Sequence, residues 1–372
     1  MSGEGTMSDG ILPEDREWMR CALELAPRGW GRTAPNPMVG AVLVRDGRVV
    51  GEGWHAEYGG PHAEVEALRA AGEAARGATA YVTLEPCAHH GKTPPCTGAL
   101  IEAGVRRVVF AAADPDPEAG GGAEALRAAG IECVSGVEEG AAKDLNAVFF
   151  HARSPAGEAR PFVALKLALS ADGRIADLDG RSMWITGEAA RDETHRLRAG
   201  FDAVAVGIGT ALADDPRLTV RGPVAPRVAP TRVVFDRTLG LPTTSTLART
   251  AGEVPVIAVA HAEARAARQE ALEAAGVRVL RARAGFDGAL AVLREAGIRS
   301  MFVEGGAGLA GALLCARAVD RLYLFYAPLF LGPQGLSPFA ALESPPIAEA
   351  PRWRRIATAE FGADTLVTLA RE

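Results

Sequence analysis

Three short segments decide how this sequence folds and what chemistry it can support: Pro61-His62-Ala63-Glu64, Glu85-Pro86-Cys87 and Pro95-Cys96. His62, Cys87 and Cys96 offer one imidazole nitrogen and two thiolates, a set of ligands that suits tetrahedral zinc. Three protein ligands leave a fourth position open, which is typical of a catalytic zinc site rather than a structural one. Glu64 is then the candidate proton carrier, because zinc lowers the pKa of bound water and a nearby carboxylate can move the proton.

The spacing of these residues departs from the general zinc-deaminase pattern. That pattern has a His-x-Glu and a later Pro-Cys-x-x-Cys, with the glutamate outside the zinc ligands. Here the eight residues 88–95 separate the two cysteines, and Gly91, Pro94 and Pro95 favour a chain reversal that brings them together. A structural zinc with His89 or His90 as a fourth ligand remains an alternative.

Composition and charge exclude several classes of protein. The chain has 372 residues, which suffices for two domains, and 48% of them are hydrophobic. A net charge of −6 without a dense basic run argues against nucleic-acid binding. No apolar run is long enough for a membrane-spanning helix, and the N-terminal residues lack the features of a signal peptide.

The cysteines indicate the compartment. Five cysteines in a chain of this length do not form a disulfide framework, so we expect the protein in the reducing cytoplasm. Outside the zinc segments, Cys21, Cys133 and Cys315 lie in apolar surroundings, and we expect them to pack in the core.

Helical and strand patterns alternate along the first half of the chain. Residues 14–26 predict an amphipathic helix, and Asp46-Gly47 predicts the turn of a hairpin. The zinc segments fall at junctions between strands and helices, within an alternating α/β pattern. We predict a disordered tail at 1–13, a first domain at 14–150, a linker at 151–161 and a second domain at 162–372.

Asn36 and His55 are weaker candidates for ligand contact. Prolines on both sides hold the backbone of Asn36 extended, so its amide could contact a ligand, although a plain turn asparagine explains it equally well. His55 alone is more typical of a surface or packing histidine.

The second half of the chain contains two unusual features. Lys166 lies inside the apolar run 162–168, where an amine needs a partner or a ligand unless it reaches solvent at a sheet edge. Gly306, Gly308 and Gly311 satisfy G-x-G-x-x-G between a predicted strand and helix, an arrangement that binds phosphate. The acidic residue of a Rossmann domain is missing about 20 positions on, so we predict a dinucleotide-phosphate turn outside such a domain. A simple glycine-rich turn is the alternative.

Taken together, several motifs resemble one family. Asn36-Pro37, the Pro-His-Ala-Glu, Glu-Pro-Cys and His-His-Gly-Lys-Thr-Pro-Pro-Cys segments, including the long stretch between the cysteines, are similar to the bifunctional deaminase–reductases of riboflavin biosynthesis. The resemblance extends from about residue 14 to the C-terminus. It implies a cytidine-deaminase-like three-layer α/β domain followed by a dihydrofolate-reductase-like α/β domain.

The resemblance also implies substrates, cofactors and site residues. The first domain would use zinc to remove the 2-amino group of a diaminopyrimidinone that carries a phosphoribosylamino group. Its substrate contacts would be Asn36, His55, His89 and Lys92.

The second domain would use NADPH to reduce the ribosyl side chain of the deaminated product to ribityl. Matched by position, the NADPH contacts would be Ala168, Trp184, Thr210, Asp214, Gly306, Ala307, Gly308, Leu309, Ala310, Gly311 and Ala312. The substrate contacts would be Ser182, Arg198, Leu218, Arg221 and Glu304. We add Lys166 as a substrate contact and Arg237, at the end of a predicted strand, as a contact of the NADPH 2′-phosphate. Asp214 could instead be a turn residue.

Two other functions are compatible with parts of the sequence. One is a nucleic-acid deaminase fused to an unrelated reductase, and the other is a structural-zinc domain beside a nucleotide-binding domain. We favour the two-step enzyme of riboflavin biosynthesis, acting on a small molecule without nucleic acid or membrane, and we expect a homo-oligomer.

Overall fold

The computed structural model describes residues 10–89, 94–116, 120–283, 285–342 and 345–372. The chain divides into two compact units, Met1–Arg153 and Ser154–Glu372, called here the N-terminal and C-terminal units. Within the described ranges, no helix combines the length and the apolar character needed to cross a membrane.

A five-stranded sheet forms the centre of the N-terminal unit. Its strands are β1 (Gly40–Arg45), β2 (Arg48–Trp54), β3 (Thr79–Leu84), β4 (Arg107–Ala112) and β5 (Glu132–Ser135), paired in the order β2-β1-β3-β4-β5. β1 is antiparallel to both neighbours, whereas β3, β4 and β5 are parallel. The predicted hairpin turn joins β1 and β2, with φ values of 50° at Asp46 and 69° at Gly47. Both are positive, as a tight hairpin turn requires.

Helices cover both faces of this sheet. They are α1 (Asp15–Leu25), α2 (Ala63–Ala71), α3 (Cys96–Glu102), α4 (Gly122–Ala128), α5 (Glu139–Leu145) and α6 (Ala147–Ala152). α1, α5 and α6 share one core with Val42 and Val109 of the sheet. α2, α3 and α4 share the opposite core with Leu43 and Val108. Because successive strand residues point to opposite faces, the sheet serves both cores and the unit has three layers.

A nine-stranded sheet forms the centre of the C-terminal unit. Its strands are β6 (Phe162–Ser170), β7 (Ala203–Gly207), β8 (Thr231–Phe235), β9 (Val256–His261), β10 (Arg278–Ala282), β11 (Ser300–Glu304), β12 (Arg321–Ala327), β13 (Trp353–Phe361) and β14 (Asp364–Arg371). They pair in the order β10-β9-β8-β7-β11-β6-β12-β14-β13. The strands from β10 to β12 are parallel, and β14 and β13 add an antiparallel edge.

Helices cover both faces of this nine-stranded sheet. They are α7 (Pro155–Ala159), α8 (Glu188–Arg198), α9 (Ile208–Asp214), α10 (Thr246–Arg249), α11 (Ala266–Ala274), α12 (Phe286–Glu295) and α13 (Ala307–Cys315). α12 and α13 pack on one core of the sheet, and α9, α10 and α11 pack on the other. Because β11 lies parallel between β7 and β6, the carboxyl ends of these three strands lie at the same edge of the sheet. At this edge the order of the strands in the sheet departs from their order in the chain. In open α/β sheets ligands bind at such an edge.

The segments predicted as tail and linker contain ordered contacts. Residues 1–9 lie outside the described ranges, but Ile11 packs against the core and the carbonyl of Gly10 accepts a hydrogen bond from Arg107 at 2.7 Å. In the predicted linker, Ser154 caps α7, and Arg294 donates to the carbonyl of Gly157 at 2.6 Å. α7 is thus tied to the C-terminal unit, because a short helix with a cap and a tertiary hydrogen bond has a defined place.

The expected core position is wrong for Cys315, which is exposed at the end of α13. Cys21 and Cys133 are half-buried and pack against the two cores of the N-terminal unit. Apolar neighbours in sequence did not reveal which face of each element turns outward. All five cysteines are free thiols.

A buried ion pair anchors α1 to the sheet. The Arg107 guanidinium donates to both Asp15 carboxylate oxygens, at 2.7 and 2.9 Å, and Tyr81 donates its hydroxyl to the same carboxylate at 2.9 Å. Burial alone would raise the pKa of Asp15, but hydrogen bonds from Arg107, Leu12 and Tyr81 hold it below its ordinary value. The Asp15 carboxylate is fully buried, so loss of its charge would weaken its buried hydrogen bonds with Arg107 and Tyr81.

We expect Asp15→Ala to destabilise the N-terminal unit by about 3 kcal/mol, because the buried Arg107 loses its buried carboxylate and keeps only the exposed Glu132, 2.9 Å from its Nε. Urea unfolding measures this loss. Arg69→Ala, which removes an exposed pair with Glu66, is the matched control and should cost less than about 1 kcal/mol.

The same pair predicts a pH dependence. Since the pKa of Asp15 is lowered in the folded state, its contribution is complete above about pH 4 and is lost as the pH falls further. The stability difference between wild type and Asp15→Ala should therefore shrink on acidification. A difference that stays constant from pH 6 to pH 3 would contradict this assignment.

Candidate active sites

His62, Cys87 and Cys96 converge at one end of the N-terminal unit. His62 Nδ1 lies 3.2 Å from Cys96 Sγ and 3.6 Å from Cys87 Sγ, and the three ligand atoms lie within 4.8 Å of one another. Zinc bonds of about 2.0 Å to nitrogen and 2.3 Å to sulfur at tetrahedral angles separate these atoms by about 3.6 Å. The chemistry and the spacing of the three side chains therefore fit zinc.

Local structure explains why these side chains meet. His62 is the extended N-cap residue of α2, Cys87 follows the end of β3, and Cys96 is the first residue of α3. The backbone N–H of Cys96 points to Cys87 Sγ at 3.4 Å, so the chain returns after the long insertion to the place where it began. Residues 90–93 of that insertion, which include His90 and Lys92, lie outside the described residues.

Burial and neighbours shift the pKa values of this cluster. A hydrogen bond from Cys96, aided by His62, lowers the pKa of Cys87 to about 4, while the same contact and burial raise the pKa of Cys96. Burial raises the pKa of Glu64, which is 4% exposed and lies in the first turn of α2. A carboxyl group in such a position accepts and returns a proton near neutral pH more readily than an exposed one.

A cavity of about 260 Å³ opens beside the cluster. Its lining includes the predicted residues Asn36, His55, His62, Glu64, Cys87 and His89. A concave pocket that joins a metal-ligand cluster to a buried carboxylate is the arrangement expected of a hydrolytic active site.

His55 connects Asn36 to the zinc segment. It is 2% exposed, which rules out a surface histidine. Its Nδ1 lies 2.9 Å from the carbonyl of Pro61, and its Nε2 lies 3.3 Å from the Asn36 side-chain nitrogen. A carbonyl only accepts, so Nδ1 carries the proton and Nε2 accepts from the Asn36 amide. Burial lowers the pKa of His55, in keeping with a neutral ring. Because Asn36 donates through its side-chain nitrogen, its Oδ1 is the atom that can accept a hydrogen bond from a ligand.

Sequence reasoning missed part of the cavity wall. Tyr58, Asp114, Asp116, Phe149 and Arg153 also line the cavity. Asp114 and Asp116 directly follow β4, the parallel neighbour of the strand that precedes Cys87. The carboxyl ends of adjacent parallel strands meet at one edge, and this rule could have placed both aspartates near the zinc segment.

Glu85 and Gly122 bring the Asp114 part of the cavity wall and α4 close to the segment Glu85-Pro86-Cys87. The carboxylate of Glu85 accepts from the backbone N–H of Ala123 at 3.0 Å and from that of Asp114 at 3.4 Å. A Cβ atom on Gly122 would lie 1.7 Å from the carbonyl oxygen of Pro86, the residue before Cys87. Only glycine permits this approach of α4 to the zinc segment.

We expect Gly122→Ala to displace Pro86 and Cys87, and so to lower the zinc content at least tenfold while the C-terminal unit is unaffected. Zinc analysis and circular dichroism of the purified variant measure this. Gly98→Ala in α3 is the matched control, since a Cβ there meets nothing within 4 Å, and it should keep its zinc. Full zinc content in Gly122→Ala would show that the approach is not required.

Lys166, Glu304 and Arg198 form a charged cluster in the C-terminal unit. Lys166 on β6 is the register partner of Glu304 on β11, and Arg198 from α8 contacts both Glu304 carboxylate oxygens, at 2.5 and 2.9 Å. Burial would raise the pKa of Glu304, but Arg198 and Lys166 hold it below its ordinary value. Burial lowers the pKa of Lys166, whose amine lies 5.6 Å from the Phe325 ring centroid. β6 is an interior strand, so Lys166 is not a lysine at a sheet edge.

α8 also fixes the loop that carries Leu218 and Arg221. Arg198 donates to the carbonyl of Thr219 at 2.8 Å, and the backbone N–H of Arg221 donates to His195 Nδ1 at 3.1 Å. Burial and the two arginines lower the pKa of His195 to about 4, so the ring is neutral and can accept this bond. Leu218 is buried with a φ of 51°, and Arg221 is exposed.

The glycine-rich turn meets a second strand-to-helix turn. A Cβ atom on Gly306 would lie 2.8 Å from Thr210 Oγ1, and one on Gly207 would lie 3.4 Å from Leu309 Cβ. The N-termini of α9 and α13 therefore lie side by side at the carboxyl edge of the sheet. Helix N-termini favour phosphate, and glycine lets it approach the backbone N–H groups.

The remaining predicted residues of this unit are more scattered. Ala168 lies on β6 and Asp214 ends α9. Ser182 and Trp184 lie exposed in the loop before α8, where the Arg191 guanidinium lies 4.5 Å from the Trp184 ring centroid. Arg237 is exposed just after β8.

Comparison with protein families separates the same two parts of the chain. The family described as "Cytidine and deoxycytidylate deaminase zinc-binding region" matches residues 12–112, and the family described as "RibD C-terminal domain" matches residues 161–367. The riboflavin biosynthesis protein RibD of Escherichia coli is 40% identical over 373 residues, covering 96% of this chain and 99% of that protein. The RibD protein of Aquifex aeolicus is 42% identical over 360 residues, covering 96% and 98%.

Two solved structures are similar to this chain along nearly its whole length. RibD of Acinetobacter baumannii superimposes with a TM-score of 0.79 at 40% identity, covering 97% of this chain and 100% of that one. A diaminohydroxyphosphoribosylaminopyrimidine deaminase/5-amino-6-(5-phosphoribosylamino)uracil reductase of Thermotoga maritima gives a TM-score of 0.79 at 37% identity, covering 96% and 99%.

Fold and sites define a two-domain enzyme, with a zinc-binding deaminase domain of the cytidine-deaminase type followed by a reductase domain. The predicted fold class, a cytidine-deaminase-like three-layer domain plus a dihydrofolate-reductase-like α/β domain, is confirmed. The chain belongs to the RibD family, whose members are bifunctional deaminases and reductases of riboflavin biosynthesis.

Proposed function

We propose that the chain deaminates 2,5-diamino-6-(5-phosphoribosylamino)pyrimidin-4-one and then reduces the ribosyl side chain of the product to ribityl with NADPH. The observation that carries the proposal is the buried Glu64 beside the converging His62, Cys87 and Cys96 at the floor of the cavity. The activities in the name of the Thermotoga maritima protein support the two substrates.

In the deaminase step, His62, Cys87 and Cys96 would hold zinc, which acidifies water for attack on the amino-bearing ring carbon. Glu64 would accept a proton from water and pass it to the amino group, which then leaves as ammonia, a role that the raised pKa of Glu64 supports. Asn36, His55, His89 and Lys92 would orient the ring. The hydrogen bond between Asn36 and His55 supports this, because it fixes the orientation of an amide whose Oδ1 can accept a hydrogen bond.

In the reductase step, the paired turns at Thr210 and Gly306 would hold the phosphates of NADPH, which supplies the hydride. Ala168, Trp184, Asp214 and the residues 307–312 would complete the cofactor site. Lys166, Arg198 and Glu304, with Ser182, Leu218 and Arg221, would hold the substrate, and the arginines suit its phosphate.

Two activities in one chain permit a sharp test with Glu64→Gln. Wild-type protein loaded with zinc should release ammonia from the diaminopyrimidinone substrate and then oxidise NADPH. Glu64→Gln should keep zinc and lose at least 10³-fold in deaminase kcat, because it removes the proton carrier. It should still oxidise NADPH when the deaminated product is supplied. Substantial ammonia release by the zinc-loaded variant would contradict the role of Glu64.

Arg237 tests the choice of cofactor. If its guanidinium contacts the 2′-phosphate, Arg237→Ala should raise the KM for NADPH about tenfold and leave the KM for NADH unchanged, as measured by steady-state absorbance. Arg249→Ala, at the end of α10, is a control of equal charge and should change neither value. An unchanged preference for NADPH in Arg237→Ala would remove this residue from the cofactor site.

The wider assignments rest on charge and composition. The net charge of −6 without a dense basic run disfavours an oligonucleotide and favours a small-molecule substrate. Five free thiols support the reducing cytoplasm as the compartment. The homo-oligomer stays a prediction, which analytical ultracentrifugation tests.

A further inference from the structure

Asn146 is a buried amide of the N-terminal unit that the proposed reaction does not use. It lies between α5 and α6 and is 4% exposed. Its Oδ1 accepts from the backbone N–H of Met38 at 2.8 Å, and its Nδ2 donates to the backbone carbonyl of Met38, also at 2.8 Å. The two residues are 108 positions apart in sequence, so this reciprocal pair joins two separate parts of the fold.

Met38 belongs to the segment that presents Asn36 to the cavity. Pro37 and Val39, on either side of Met38, line the cavity together with Asn36. The carbonyl of Val39 accepts from the backbone N–H of His55 at 2.9 Å. The position of Met38 therefore sets the position of both Asn36 and the histidine that orients its amide.

The other partner of this pair, Asn146, lies beside a second part of the cavity lining. Asn146 precedes α6, whose Phe149 lines the cavity, and Arg153 follows α6 directly and lines it as well. The Arg153 guanidinium lies 3.7 Å from the Phe149 ring centroid, so these two side chains form one surface. Through Asn146, the start of this helix is tied to the backbone of the Asn36 segment.

We propose that Asn146 is a positioning residue of the deaminase, which fixes the distance between the Asn36 wall and the Phe149–Arg153 wall. Both hydrogen bonds are buried, and a backbone N–H and carbonyl without partners are costly there, so the reciprocal geometry is enforced. Asn146 has no contact with the zinc cluster or Glu64 among the described hydrogen bonds. Its effect should therefore fall on substrate binding rather than on proton transfer. This inference rests on the deaminase function proposed above.

The test compares Asn146→Asp and Asn146→Ala with wild type. The aspartate has the same shape and keeps the acceptor for the Met38 N–H, but it sets an oxygen against the Met38 carbonyl. The alanine removes both bonds. Because the Asn36 segment would bind the substrate while Glu64 and the zinc ligands carry the chemistry, we expect the deaminase KM to rise about tenfold or more in both variants. The kcat per bound zinc should stay within about twofold of wild type, and the reductase KM should not change.

A merely structural role gives a different result. Partial unfolding lowers zinc content and the amount of active protein together, and leaves the KM of the remaining active protein unchanged. Tyr81→Phe is the matched control, because it removes a buried hydrogen bond of the same unit, to Asp15, at a residue that does not line the cavity. It should lower stability without changing the deaminase KM.

The outcomes separate the two proposals. If wild type releases ammonia but the Asn146 variants keep the wild-type KM, the positioning role is overturned and the proposed function stands. If Asn146→Ala does not fold, the isosteric Asn146→Asp decides by the same comparison. If zinc-loaded wild type releases no ammonia, the proposed function fails, and this inference fails with it.

Discussion

The N-terminal unit depends on one geometric constraint, the convergence of one imidazole and two thiolates at the ends of three elements. His62 caps α2, Cys87 follows β3 and Cys96 begins α3. These elements meet only because α2 and α3 pack on the same face of the sheet. Glycine at position 122 lets α4 approach the same corner closely, so the packing of that face also positions the carbonyl next to Cys87.

Electrostatics differ between the two sites in a way that suits their chemistry. In the first site the carboxyl group of Glu64 is buried, and burial raises its pKa against the opposing effect of His62. The second site surrounds its carboxylate, Glu304, with Arg198 and Lys166, which keep it charged. A carboxyl group that exchanges protons needs the first environment, whereas one that orients a polar ligand needs the second.

Buried polar contacts between distant parts of the chain help to position the elements around both sites. The Asp15–Arg107 pair fixes α1 on the sheet, and His195 fixes the backbone of Arg221 beside the second site. Asn146 joins two walls of the first cavity. Each is a side chain that satisfies backbone or charged groups across a long sequence separation. Such contacts restrict the fold to one arrangement because their loss leaves buried polar groups unpaired.

The sequence by itself determined the ligand types, the hairpin, the alternating α/β pattern and the family. These features are local, since His-x-Glu, the two cysteines and the glycine-rich turn each lie within short segments. Only the tertiary structure decided that Asp114, Asp116, Phe149 and Arg153 share a cavity with Glu64, and that Cys315 faces outward. It also decided the pairing of Glu304 with Arg198 and of Asn146 with Met38. The physical reason is that these contacts follow from strand order and from the packing of helices on a sheet, and neither leaves a periodic pattern in the local sequence.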